Sequence, residues 1–317
     1  MEKRRIGSLE VSVVGLGCNN FGWRIDADAS KRVIHAALDA GITFFDTADV
    51  YGDGRSEKYV GDTLWGRRDE VVIATKFGWK VAENREGASP KYVRAAVEQS
   101  LRRLRTDAID LYQLHKPDPS VPIADTLGAL NDLVRGGKVC EIGCSNFSAA
   151  QMREAEEAAA GMPLRFVSVQ NEYSLMHREP EREVLPECSR LGLAFLPYFP
   201  LASGLLTGKY RKNHTFPRGS RGADEWGPKV FTAENLDIVE RLTQFAESRG
   251  YTLLELAFSW LGAQPAVASV IAGATTPGQV MANASACDWK LTANELAEID
   301  SIVQPARDSE ETSSAHR

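Results

Sequence analysis

The sequence predicts an α/β fold, a (β/α)8 TIM barrel with an N-terminal β-hairpin and an extra C-terminal helix. Three observations carry this. Eight short runs rich in Val, Ile, Leu and Phe recur along the chain. Each is almost continuously apolar, as parallel strands buried on both faces must be. Segments of helical period lie between them with readable caps. An open doubly wound sheet is the structural rival, but it would carry a G-x-G-x-x-G turn after an early strand, and none is present.

In chain order, residues 4–12, centred on Gly7-Ser8, read as a short hairpin ahead of the barrel. The strand candidates are 13–17, 43–48, 71–76, 108–115, 139–145, 167–173, 193–200 and 267–274. Asp28 or Ser30 would open the first helix, whose Val33, Ile34, Ala37 and Leu38 share a face, and Gly41 would close it. Ser89-Pro90 is an N-cap followed by proline at the first helical position. Ile123, Leu127, Leu130 and Val134 follow Pro122, and Gly136-Gly137 ends that helix. Ser148 with Gln151, and Thr292 with Glu295, are capping boxes. Thr232 caps another helix, and Thr276-Pro277 starts the eighth. Residues 209–231 form a long polar loop, and loops of that length are usually functional. Residues 306–317 read as a disordered tail, leaving 1–305 as a single barrel domain.

The chain has 317 residues, 43% hydrophobic and 25% charged, with formal net charge -6. That balance argues against nucleic acid or an anionic membrane as partner, but not against a small anion in a local basic pocket. Five scattered cysteines form no disulfide framework and fit a reduced cytoplasmic setting. Cys140 and Cys144 lack the second pair or His cluster that would complete a metal site, so no metal is expected. No signal peptide or membrane span is expected either. The sequence is compatible with a homo-oligomer and does not specify one.

Active sites of such barrels lie at the C-terminal ends of the strands. There the second candidate strand ends on Asp46 with Tyr51 just beyond, the third ends on Lys76, and the fourth on His115. Taken singly each has a plainer reading: a solvated lysine, a rim histidine, a turn-capping aspartate, a packing tyrosine. Apolar strands do not deliver a carboxylate, a cation, a phenol and an imidazole to one rim by accident. The set suits acid catalysis by a tyrosine. A phenol titrates near 10 and donates poorly at neutral pH, whereas a neighbouring ammonium would lower that value. The carboxylate would keep the lysine charged, and the imidazole would orient a substrate carbonyl.

The segment Gly-Ile-Thr-Phe-Phe-Asp-Thr-Ala-Asp-Val-Tyr-Gly at 41–52, with Ser56-Glu57 and Gly61, resembles the signature of the aldo-keto reductase superfamily. So, in order, do Lys76, His115, Gly143 to Phe147, Gln170 to Tyr173, and Pro200 to Tyr210. The resemblance spans about 4 to 300 and is nearest the bacterial and potassium-channel-β-like branches. It implies a barrel that binds NADPH (NADP+) in extended form, with NADH as the lesser alternative. It also implies a small-molecule carbonyl substrate and hydride delivery from nicotinamide C4.

In that reading Tyr51 is the proton donor, Lys76 and Asp46 tune it, and His115 orients the substrate. Asp46 also contacts the nicotinamide ribose. Ser145, Asn146 and Gln170 match the positions that hold the carboxamide, and Tyr198 the aromatic that stacks on the nicotinamide. Backbone near Leu201, Ser203 and Gly204, with Lys209, matches the pyrophosphate contacts. Arg221 beside Ser220, with Gly273, Thr275, Gln279 and Asn283, matches the adenosine end. Ala282 departs from the Glu that many members carry there. A cation near the 2′-phosphate favours NADPH. Asn19, Trp23 and Trp79 on rim loops are candidate substrate contacts.

Two other readings stand beside the reductase. One is a nucleotide-binding regulatory subunit. The other is a Schiff-base enzyme using Lys76, since aldolases also place a lysine at a strand end.

Overall fold

All eight apolar runs form strands in the computed structural model, which describes residues 1–83, 85–210 and 230–303. The hairpin pairs β1 (Lys3–Ile6) with β2 (Leu9–Ser12), Ile6 opposite Leu9. The ring strands are β3 (Val14–Gly17), β4 (Phe44–Asp46), β5 (Val72–Phe77), β6 (Ile109–Leu114), β7 (Val139–Ser145), β8 (Ser168–Glu172), β9 (Ala194–Tyr198) and β10 (Val270–Gly273). They pair in parallel in the order β10-β3-β4-β5-β6-β7-β8-β9. A parallel bridge between Phe195 and Val267 closes the ring, with Phe195 N–H donating to Ala266 O at 2.7 Å. This is a (β/α)8 barrel.

The described residues divide into two compact units. The first comprises Met1–Glu172, Glu179–Tyr198 and Ala266–Ala284 and holds the hairpin and the whole ring. One end of its bore is plugged. Ile6 and Val11 of the hairpin pack with Phe44, Ala74, Leu111, Leu196, Ala268 and Ile271 in one buried cluster. Glu141 on β7 fixes the hairpin turn, accepting from Ser8 N–H at 2.8 Å and from its hydroxyl at 2.6 Å. The second unit comprises Tyr173–Arg178, Phe199–Pro265 and the segment from Ser285 onward. In it Trp289 stacks on Tyr251, with ring centroids 4.1 Å apart. The extra C-terminal helix is Ala293–Val303, opened by the Thr292–Glu295 box.

Helix starts match their caps with one exception. The first helix is Ala27–Asp39, capped by Asp26, whose carboxylate accepts from Ala29 N–H at 2.9 Å. Asp28 and Ser30, the expected caps, both lie instead inside the helix, Asp28 in the first turn, where its charge faces the helix N-terminus. Ser89 and Ser148 cap as expected, the latter in a full capping box. Three helices lie outside the sequence reading. Arg55–Thr63 starts from Gly54 at φ 83 with no side-chain cap. Val184–Leu191 also has no side-chain cap. Leu253–Gly262 is buried along nearly its whole length and so lacks a polar face. Most of the long polar loop, residues 211–229, and the tail beyond 303 lie outside the described residues.

Candidate active site

β4 and β8 are not neighbours in the ring, so side chains that meet from both must point into the bore. They do meet. Gln170 Nε2 on β8 donates to Asp46 Oδ1 on β4 at 2.9 Å. Lys76 on β5 donates to Asp46 Oδ2 at 2.6 Å, to Thr47 O at 2.8 Å and to the Tyr51 hydroxyl at 3.4 Å. Its three protons are thus engaged, and the side chain is fully buried. Tyr51 reaches the lysine because the chain turns sharply after β4. Gly52 has φ 56, and a Cβ there would lie 2.6 Å from Phe21 O. Ser56 and Glu57 secure this turn from behind. Ser56 Oγ donates to Cys18 O at 2.8 Å. Buried Glu57 accepts from Thr75 Oγ1 and Arg103 Nε, each at 2.6 Å.

His115 follows β6, its ring in a T-shaped arrangement with that of Tyr51 at a centroid distance of 5.8 Å. Its Nδ1 is buried without a hydrogen-bond partner. Burial, then the charges of Lys76 and Lys116, push its pKa down from 6.5 to about 3. The imidazole is therefore neutral, a hydrogen-bond donor rather than an acid. Burial alone would push Lys76 down. The Asp46 charge, then Tyr51 and the hydrogen bonds to both, outweigh it and hold the ammonium above its ordinary value.

Tyr51 differs from expectation. Burial raises it above 10 despite the opposing field of Lys76, and the Asp46 charge adds to the rise. Lys76 does not reverse the rise because its ammonium sits 2.6 Å from the carboxylate and 3.4 Å from the phenol, so part of its field is cancelled. The resting tyrosine is a firmly protonated phenol.

Around this quartet lie the amides and hydroxyls that could hold a nicotinamide. Ser145 Oγ donates to Gln170 O at 2.7 Å. Asn146, at the left-handed φ of 61, donates to His115 O at 2.9 Å and accepts from the Tyr198 hydroxyl at 2.8 Å. After β10, Gln279 Oε1 accepts from Thr275 N–H at 2.8 Å and Thr275 Oγ1 at 3.1 Å, and Asn283 is buried. Asn19 Oδ1 would be 3.0 Å from a Cβ on Gly273. Trp23 and Trp79 are 65% and 44% exposed, so neither serves as core packing. Leu201, Ser203, Gly204 and Lys209 belong to the second unit, where Ser203 and Gly204 form a left-handed turn with φ 57 and 101. Arg221 lies outside the described residues.

Sequence reasoning missed Gln113. It is fully buried on β6 and donates through Nε2 to Asp46 Oδ1 at 3.3 Å. A lone polar residue inside Leu-Tyr-Gln-Leu was the available signal. Among the described residues no group of three or more His, Cys, Asp or Glu could hold a metal, and no helix is long and apolar enough to cross a membrane.

A profile model of the Aldo/keto reductase family matches residues 13–304. The chain belongs to the aldo/keto reductase family. It is 38% identical to the aldo-keto reductase YhdN of Bacillus subtilis (strain 168), over 93% of this chain and 91% of that protein. It is 36% identical to a probable voltage-gated potassium channel subunit beta of Oryza sativa subsp. japonica, over 96% of this chain and 97% of that one. Among solved structures it resembles the glycerol dehydrogenase AKR11B4 from Gluconobacter oxydans. The TM-score is 0.82 at 34% identity, covering 95% of this chain and 94% of the other. This aldo/keto reductase is therefore an NAD(P)H-dependent oxidoreductase acting on small carbonyl compounds.

Proposed function

We propose that this chain reduces aldehydes or ketones to alcohols, reversibly, with NADPH as reductant and Tyr51 as proton donor. The observation that carries the reading is the buried Lys76 ammonium, shared between Asp46 and the Tyr51 hydroxyl. Residues suited to the cofactor are present. A hydroxyl and two amides, from Ser145, Asn146 and Gln170, lie together at the ends of β7 and β8, and the Tyr198 hydroxyl is bonded to Asn146. Asp46 would meet the ribose. Leu201, Ser203, Gly204 and Lys209 are proposed for the pyrophosphate, and Gly273, Thr275, Gln279 and Asn283, with Arg221, for the adenosine end. Asn19, Trp23 and Trp79 are proposed substrate contacts.

When bound, NADPH would supply the hydride that adds to the carbonyl carbon and leaves the carbonyl oxygen as an alkoxide. Neutral His115 donates a hydrogen bond to the carbonyl oxygen and orients it. Tyr51, held protonated, gives its proton to the alkoxide, a far stronger base than a phenolate. The phenolate left behind faces Lys76, which stabilises it at the moment the charge appears. Lys76 is not a free amine, since the charge of Asp46 outweighs burial and holds it protonated, and this argues against a Schiff base. The free thiols favour a reducing compartment, the cytoplasm.

The plant relative favours one alternative, an NADPH-binding regulatory subunit with little turnover. One experiment separates the two. A panel of aldehydes, ketones and quinones is assayed with NADPH and NADH by nicotinamide absorbance, alongside Tyr51→Phe. Many turnovers with NADPH, and a loss of about 10³-fold in Tyr51→Phe with NADPH binding intact, are expected. A single cycle at most would favour the subunit, and full activity in Tyr51→Phe would overturn the tyrosine acid.

A further inference from the structure

Trp79 and Lys116 follow neighbouring strands, β5 and β6. His115 N–H donates to Phe77 O at 2.8 Å, joining the two strand ends. Gly78 then turns the chain at φ +103, and a Cβ there would lie 2.9 Å from Leu114 Cδ1. The turn sets the Trp79 ring against the His115 ring, centroids 5.3 Å apart. Lys116 lays its ammonium over the same indole, 4.9 Å from the centroid. Imidazole, indole and ammonium are thus contiguous at the rim beside Tyr51.

The nearest carboxylate along the chain does not neutralise this cation. Asp118 Oδ1 accepts from Ser120 N–H at 3.0 Å and Ser120 Oγ at 2.6 Å, and Oδ2 accepts from Ala88 N–H at 2.8 Å. Asp118 is therefore spent on tying the 116–120 loop to the 78–88 loop, which Gly87 N–H also closes onto Gly78 O at 3.1 Å. Lys116 feels Asp118 electrostatically. Among the described residues, though, no carboxylate lies within ion-pair distance of it. Asp46 and Lys76 cancel each other, and His115 and Tyr51 are neutral, so Lys116 brings a local positive charge to a chain of net charge -6.

We propose that Lys116, seated on Trp79, accepts a carboxylate on the substrate, so that this protein prefers carbonyl compounds carrying a carboxylate on an apolar or aromatic body. The inference rests on the reductase reading above and narrows its substrate class. The indole covers the apolar body, His115 takes the carbonyl, and the ammonium meets the anion. A neutral analogue gains the first two contacts and loses the third.

The test compares 4-carboxybenzaldehyde with its methyl ester, using NADPH-loaded wild type, Lys116→Met and Lys116→Arg. Wild type should prefer the acid in kcat/KM. Lys116→Met should lower the acid-to-ester ratio about fivefold, the scale of a partly exposed charge pair, with the change in KM rather than kcat. Lys116→Arg should restore the ratio, and added salt should lower it in wild type but not in Lys116→Met. An unchanged ratio in Lys116→Met overturns the proposal. Quenching of tryptophan fluorescence gives the same ratio from binding alone. If neither aldehyde is turned over, the reductase reading fails while the binding ratio still decides the role of Lys116.

Discussion

The two ends of the barrel bore are built from the same strands, two residues apart, and are chemically opposite. Phe44 on β4, Ala74 on β5 and Leu111 on β6 belong to the apolar cluster sealed by the hairpin's Ile6 and Val11. Two positions on, Asp46, Lys76 and Gln113 form the polar layer, with Gln170 reaching across from β8. A step of two residues keeps a side chain on the same face of a strand, so both layers face inward. The lower layer holds through area removed from water, and any apolar shape of the right volume could serve. The upper layer holds through hydrogen bonds between buried polar groups, each costly to leave unmet. Stability and chemistry therefore sit in adjacent storeys of one bore.

The separation can be broken from below. Phe44 is fully buried. Phe44→Ala should cost about 3–5 kcal/mol of stability by transfer and cavity terms together. The kcat of the molecules that stay folded should change less than about threefold. Denaturant unfolding and steady-state rates on the same sample check both numbers. A collapse of kcat with stability retained would mean that the lower layer positions the upper one.

The complementary change acts from above. Gln113→Leu keeps the volume but removes one of two amide donors on Asp46 Oδ1. A tenfold loss in kcat, about 1.4 kcal/mol, is expected, with only a small change in stability. Because Asp46 holds Lys76, and Lys76 faces Tyr51, the pH profile of kcat should shift as well, which mere loosening would not produce. An unaltered rate and profile would mean that Gln170 alone fixes Asp46.

The two layers were unequally legible in the sequence. The strands stood out because a strand buried on both faces must be continuously apolar, and all eight runs fold as strands. The quartet stood out because Asp46, Lys76 and His115 close such runs, where polarity breaks pattern, and Tyr51 follows one of them by five residues. Gln113 was not, because its importance depends on register, and its inward position opposite Asp46 follows only from closing the ring. The rise of the Tyr51 pKa escaped for a similar reason. A list of residues shows the ammonium but neither the burial of the phenol nor the carboxylate that stands closer to the ammonium than the phenol does. The helix Arg55–Thr63 lacked its usual signal, since Gly54 offers no capping side chain.

The smallest expected effect lies just behind the polar layer, at Asp49. This carboxyl is buried, and its Oδ1 has no hydrogen-bond partner. Burial first, and then the Glu57 charge, push its pKa from 3.8 to about 7. Arg103 and the hydrogen bonds of Tyr92 and the backbone oppose the rise. Between those values the folded chain holds a proton that the unfolded chain releases. Asp49 therefore erodes stability as pH climbs from about 4 to about 7, and its full penalty stands above that. His115 acts in the opposite sense: held neutral down to about 3 against an ordinary 6.5, it erodes stability as pH falls through that range. Asp49→Asn removes the first contribution and leaves the second. The variant should melt a few degrees above wild type at pH 8, and the difference should vanish toward pH 4. A gain of equal size at both pH values would trace the effect to a hydrogen bond made by the new amide, not to the charge that Asp49 carries when folded.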